Sequence, residues 1–296
     1  MREGSEFDSQ LQKRHLCSLR RILGVKNSTT NWPVLRECGQ EPLHFFWFRA
    51  SIKFFNSMLD SNSEVLRCVL RADLSLASFD SSCWSAEVSN AFGGMRNGDS
   101  FKQNMLRAEK IPMQKFIGDL RYRQQKVWRG ADVFCPRAVN KKAVTYHHWC
   151  GRPLNQTART PFCIPSYLFR DLDKGVMRNV SRFRLRAHCL KVESCKWQGG
   201  SNICDKCDCA EVQDEKHALF YCKHFEVCEL RRKYKDLFID LFRPFHTFAQ
   251  LSNTDFIPFL ARFHCLTDLE VNAFLNQDSC RFSKFLSELV SIFDAG

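Results

Sequence analysis

The sequence predicts a mainly α-helical protein: a bundle-like helical domain followed by a small Cys3His zinc module embedded between helices. Three observations carry this reading. Apolar residues recur at helical spacing in most segments. Phenylalanine occurs 27 times among 296 residues, ample material for a packed core. Five of the 16 cysteines fall within residues 203–228, "ICDKCDCAEVQDEKHALFYCKHFEVC", a polar stretch with almost no apolar core of its own. A hydrophobic fraction of 44% with 26% charged residues is ordinary for a globular chain and argues against wholesale disorder.

The elements follow in order. "LQKRHLCSLRRIL" sets Leu11, Leu16, Leu19, Ile22 and Leu23 near one face, with basic residues opposite and Gly24 as a stop. "PLHFFWFRASIKFFNSML" opens at Pro42 and is apolar on nearly all sides, which predicts a buried helix. "SEVLRCVLRADLSL" begins at a Ser63 cap. "SSCWSAEVSNAFGG" carries Trp84, Val88, Ala91 and Phe92 on one stripe and ends at Gly93-Gly94. A helix from Pro112 to Gly130 sets Phe116, Leu120, Val127 and Trp128 on or near one stripe. Pro136, Pro153, Pro161 and Pro165 then mark residues 134–165 as a linker. "LDKGVMRNVSRFRLRAHCL" reads as a helix, as does "FEVCELRRKYKDLF" after the cysteine cluster. A Phe-rich tail holds a capping box at Thr267–Glu270 and closes with the amphipathic "SKFLSELVSIF". The expected organisation is a helical region at 1–133, the linker at 134–165, a basic helix plus zinc-binding module at 166–240, and a Phe-rich helical tail at 241–296.

Cys204-x2-Cys207 places two thiolates on one tight turn, the usual first half of a tetrahedral zinc site. His217 and Cys222 complete a set of three sulfurs and one imidazole. Four protein ligands leave no position for water, so the expected cofactor, Zn2+, is structural rather than catalytic. His217 and Cys222 lie five residues apart, about 140° around an ideal α-helix, and cannot share a helical face. A short helix is therefore expected to start near Asp214, carry His217 and end before Cys222, with Ala218, Leu219, Phe220 and Tyr221 seating the module. Cys209 stands as an alternative to Cys207, and Cys228 falls on the following helix. Lys206, Lys216 and Lys223 lie beside the ligands and offset their negative charge. The competing reading is a chance cluster of reduced thiols.

The net charge, 44 − 32 = +12, makes a polyanion the plainest partner. Arg178, Arg182 and Arg186 fall at i, i+4 and i+8, with Arg184, Lys191, Lys196 and Trp197 nearby. Arg231, Arg232, Lys233 and Lys235 interleave with Tyr234 after the cluster. The candidate nucleic-acid contacts are Arg178, Arg182, Arg184, Arg186, Lys191, Arg231, Arg232 and Lys233; the competing reading is a solvated helix face. His147-His148 has no partner at metal spacing and reads as packing. The polar start and the absence of a long apolar run predict a nuclear or cytoplasmic protein with reduced thiols, neither secreted nor in a membrane.

"RFRLRAHCLKVESCKW", the Cys pair, "VQDEKHALFYC" and "ELRRKY" together resemble the zinc-binding segment that follows the reverse transcriptase domain in non-long-terminal-repeat (LINE-type) retrotransposon polyproteins. The matching positions are Cys204, Cys207, Glu215 (or Asp214), His217 and Cys222. "HLCSLRRILGVKNSTTNWPVLRECGQEPLHFFWFRASIKFFNSML" is similar to the helical region after the polymerase thumb in plant-like elements, so the resemblance spans most of Leu11 to Phe238. Asp208 and Lys223 depart from the Gly and Pro common in that family. The resemblance implies a parent RNA-directed DNA polymerase, with this region holding template RNA or target DNA beside a reverse transcriptase core. No Tyr/Phe-x-Asp-Asp motif and no recognisable endonuclease pattern occurs, so no enzyme is expected. The alternative is a structural module that docks on a protein partner through its Phe-rich helices.

Overall fold

Helix α1 (Gln10–Leu23) stops at Gly24. Gly24 turns the chain at φ +68°, and the Cγ of Arg178 lies 2.7 Å from where a β-carbon would stand, so the turn requires glycine. Leu16, Leu19 and Leu23 are buried, whereas Leu11 and Ile22, expected on the same face, are exposed. Gln12 is buried and its Oε1 accepts the Leu43 N–H at 2.7 Å. The protein's computed structural model describes residues 9–132, 146, 164–242, 271, 274, 275, 277 and 279–294. Almost all of the expected linker, His147-His148, the Thr267–Glu270 capping box, and the side chains of Val127, Trp128 and Trp197 lie outside the described residues.

The chain divides into two compact units: Met1–His15 with Gln40–Ala138, and Leu16–Gly39 with Val139–Gly296. The sequence placed residues 1–133 in one region. Residues 16–39 belong instead with the second unit, because α2 (Asn31–Glu37) delivers Glu37 to partners far along the chain. The buried Glu37 carboxylate accepts the Tyr146 and Tyr167 hydroxyls, each at 2.6 Å, and the Arg184 Nε–H at 2.6 Å.

The first unit is built on phenylalanine. Helices α3 (Leu43–Asp60), α4 (Glu64–Leu76), α5 (Trp84–Ala91), α6 (Gly98–Leu106) and α7 (Met113–Asp132) follow one another. Ser63 caps α4, its Oγ accepting the Leu66 N–H at 3.4 Å. Phe48 of α3 meets Phe92 and Phe116 at ring separations of 5.2 and 5.0 Å, and Phe101 of α6 lies 5.7 Å from Phe92. These tilted and edge-to-face pairs add to the burial of large apolar area. Helix α3 is not buried all round, as its composition suggested. Phe45, Phe48, Ile52 and Phe55 face the core, while Phe46 and Phe54 are exposed. Val65, Val69 and Leu76 of α4 and the following Phe79 are also exposed.

In the second unit, α8 (Lys174–Arg184) is shorter than the sequence suggests. Arg186 adopts φ +53°, and the Ala187 N–H closes on the Arg182 carbonyl at 2.7 Å, a left-handed helix stop. Helix α9 (Lys191–Gln198) then leads to the cysteine cluster. After the cluster the expected single helix is two, α10 (Phe225–Lys233) and α11 (Lys235–Phe242). They break at Tyr234, which reaches α12 (Cys280–Asp294): its hydroxyl donates to Glu288 at 2.7 Å and its ring lies 5.6 Å from Phe285. Helix α12 also packs along α8, where Asn179 Nδ2 donates to Ser287 Oγ at 3.1 Å.

The described phenylalanines of the tail do not form a docking face. Phe274, Phe282, Phe285 and Phe293 are buried, and Phe274 meets Phe220 of the cluster edge-to-face at 5.1 Å. Those four side chains belong to the unit's own core. The described residues contain no strand, only one antiparallel bridge between Ile203 and Val212. No described helix is long and apolar enough to cross a membrane.

Candidate metal centre

The Ile203–Val212 bridge folds the cysteine turn back on itself. The Cys204 N–H donates to the Glu211 carbonyl at 2.8 Å, and the Gln213 N–H to the Asn202 carbonyl at 2.9 Å. Ala210, at φ +52°, makes the return. Asp214 then starts the next helical turn, its Oδ1 accepting the His217 N–H at 2.8 Å. The helix begins where the sequence placed it, but His217–Tyr221 form a π-turn, and the Cys222 N–H donates to the His217 carbonyl at 2.8 Å. The wider turn resolves the spacing conflict. A pair five residues apart diverges on an α-helix, yet one π-turn returns both residues to the same side.

The ligand atoms of Cys204, Cys207, His217 and Cys222 lie within 4.8 Å of one another, so these four residues could hold a metal ion. Cys207 Sγ and His217 Nε2 stand 3.4 Å apart. A tetrahedral ion with sulfur at about 2.3 Å and nitrogen at about 2.0–2.1 Å sets its ligand atoms roughly 3.6–3.8 Å apart, which matches this scale. Cys204, His217 and Cys222 are buried and Cys207 partly so. Cys209 is not in the group. Cys228 lies on α10 as expected, buried, with its thiol 3.9 Å from the Cys222 carbonyl.

The surroundings orient the ligands. His217 Nδ1–H donates to Glu211 Oε2 at 2.9 Å, which turns Nε2 toward the sulfurs. Burial raises the Cys207 thiol, but the backbone N–H groups of Cys209 and Lys223 outweigh it and hold that thiol below its usual range. At Cys222 burial wins and the thiol is pushed well up. Gln213 Nε2 donates to Cys204 Sγ at 3.4 Å. Glu211 and Gln213 escaped sequence reasoning because the bridge, not their spacing, brings them to the cluster. Replacing Glu211 with Ala is expected to weaken metal affinity about 10- to 100-fold with the fold retained. Competition against a chromogenic chelator checks this, and an unchanged affinity contradicts the orienting role.

No protein family, curated protein or solved structure matches this chain.

The expected nucleic-acid contacts differ in exposure: Arg184 and Arg231 are buried, Arg178, Arg182, Arg186 and Lys191 are partly so, and Arg232 and Lys233 are exposed. Arg231 is fully buried; its Nε, Nη1 and Nη2 donate to the carbonyls of Leu219, Cys222 and Ala218 at 2.8, 2.7 and 3.0 Å. It closes the carbonyl end of the π-turn, where the sequence had made it a phosphate contact. Arg184 is held by Glu37. Arg186 pairs with Glu193 at 2.9 Å and Glu215 at 3.2 Å. Arg182 pairs with Asp294, Lys191 with Asp205, Arg232 with Glu229 and Lys233 with Glu288. Arg178, half-buried, lays its stem against Gly24. The stripe at i, i+4 and i+8 is real, but it faces neighbouring elements. Lys206 and Lys223, beside the cluster, and Lys26 have no carboxylate partner among the described residues.

The two acidic residues before His217 are also internal. Asp214 caps the π-turn, and Glu215, buried, accepts from His188 Nε2 at 2.9 Å. Burial alone would raise the Glu215 carboxyl, but His188 and Arg186 outweigh it and hold it below the usual range.

Proposed function

We propose that the Cys3His set holds one zinc ion in a structural role, and that the chain is a zinc-stabilised nucleic-acid-binding module without a polymerase site of its own. The observation that carries the reading is the convergence of four soft donor atoms within 4.8 Å of one another, three sulfurs and one imidazole nitrogen. Such a donor set favours a tetrahedral, thiophilic ion, and zinc is the common one in this geometry. With all four positions supplied by protein, no site remains for a reacting water. The resemblance to the region after the reverse transcriptase domain of LINE-type polyproteins, together with the net charge of +12, supports a nucleic-acid partner, RNA or DNA. In this proposal the unpaired lysines around the module, not the arginine stripe, make the phosphate contacts.

The test is binding of labelled single-stranded RNA and DNA by the metal-loaded chain across a salt series. The expected result is affinity that falls steeply with salt, each engaged lysine adding about −0.7 to the slope of log K against log salt. Absence of binding at low ionic strength, or binding indifferent to salt, removes the nucleic-acid part of the proposal and leaves the metal centre intact.

A further inference from the structure

We propose that a polar cleft beside the metal module is a phosphate site, and that it takes a phosphate of the nucleic-acid strand. The second half rests on the reading above; the first does not. The cleft has a volume of about 350 Å³, and its wall includes Lys26, His188, Lys191, Lys206, Gln213 and Asp294. That is ample for one phosphate and part of its sugar.

The charges in the wall do not cancel evenly. Three carboxylates line it, and each has a cation: Glu193 takes Arg186 at 2.9 Å and Lys196 at 2.7 Å, Asp205 takes Lys191 at 3.0 Å, and Asp294 takes Arg182 at 3.0 Å. Two ammonium groups remain, those of Lys26 and Lys206, with no carboxylate partner among the described residues. The cleft therefore presents surplus positive charge on opposite stretches of the chain.

His188 supplies the second, independent observation. The residue is 4% exposed and lies in the cleft wall. Its Nε2 is fixed by Glu215 at 2.9 Å, while its Nδ1 is buried without any hydrogen-bond partner in the protein. A buried ring nitrogen left unpaired is destabilising, and native structures seldom tolerate it without a ligand or water. With Glu215 against Nε2, that unpaired nitrogen is the one ring position left open on a residue of the cleft wall. Two mobile ammonium groups on separate stretches of the chain suit a multi-oxygen anion.

The experiment uses the full metal-loaded chain, with pyrophosphate and 5′-phosphorylated RNA as probes. Pyrophosphate is expected to shift the His188 ring resonances in NMR and to compete with RNA. A Lys26→Ala/Lys206→Ala variant, altered only at lysines without ion-pair partners, is expected to lose about tenfold or more in pyrophosphate affinity. His188→Asn is expected to do the same, and the lysine variant keeps the test decisive if that chain folds poorly. Equal pyrophosphate affinity in wild type and the lysine variant, or no shift at His188, overturns the phosphate site. If the variant loses pyrophosphate but binds RNA as before, the strand is not the occupant, while nucleic-acid binding stands on other contacts. If wild type takes pyrophosphate but never RNA, the site stands and the nucleic-acid reading falls.

Discussion

Cys204→Ser is expected to abolish metal binding and, with it, the ordered structure of residues 203–224. The reason lies in how little else holds this segment. Between Ile203 and Asp214 the chain is tied by one bridge, a handful of backbone bonds and side-chain bonds from Asp205, Glu211 and Gln213, and Val212 is exposed. In comparable zinc modules the ion supplies on the order of 10–16 kcal/mol, so its loss exceeds what these contacts can replace. The damage should reach further. The Ala218, Leu219 and Cys222 carbonyls that hold Arg231 are presented by the π-turn that the metal ligands flank. Once the turn loosens, a buried guanidinium loses its acceptors, and burial already pulls its pKa down to about 10. Metal analysis should fall from one ion per chain to none for both Cys204→Ser and His217→Ala, with loss of amide-exchange protection across the segment. Cys209→Ser should leave both measurements unchanged. Full metal occupancy in Cys204→Ser contradicts the ligand assignment.

Glu37→Ala is expected to destabilise the second unit by about 3–5 kcal/mol, because it breaks a buried ion pair from one side. Glu37 is fully buried, and its two oxygens receive the Tyr146 and Tyr167 hydroxyls and the Arg184 guanidinium. Burial, reinforced by the Glu37 charge, raises both tyrosines well above their usual pKa, so they remain hydroxyl donors at ordinary pH. Removing the carboxylate takes a buried acceptor from a guanidinium and two hydroxyls at once. Tyr167 also shares a hydrogen bond with Ser181 Oγ at 2.9 Å, so the fault is felt along α8. Urea unfolding measures the loss. A Glu37→Met/Arg184→Met pair should be less destabilised than Glu37→Ala, because no lone charge remains buried. A shift within about 0.5 kcal/mol for Glu37→Ala contradicts this account, since only surface substitutions are usually that mild.

Much of this architecture is legible in the residues. Ser63, Gly24 and the Trp84–Phe92 stripe act locally, through a cap, a left-handed turn and a period of 3.6, and such signals survive into the fold. The clustering of Cys204, Cys207, His217 and Cys222 is legible because soft ligands at close spacing have few other uses. What could not be read is whatever depends on distant partners. Nothing near Glu37 announces Tyr146 or Arg184, and so the place of residues 16–39 in the second unit was hidden. Arginines at helical spacing do not reveal whether a carboxylate waits opposite, and at Arg184, Arg186 and Arg231 the interior takes the charge. Tyr234 splits a continuous helical pattern because its side chain is drawn to Glu288 and Phe285 on α12, a contact invisible to local propensity. His217 and Cys222 looked incompatible with one helix face only while the turn was assumed to be α.

X-ray absorption at the metal edge of the purified, metal-loaded chain tests the central claim most directly. The account predicts zinc with three sulfur neighbours at about 2.3 Å and one nitrogen at about 2.0–2.1 Å, and no oxygen in the inner sphere. A shell dominated by oxygen and nitrogen, or a chain that retains no metal after dialysis, contradicts it.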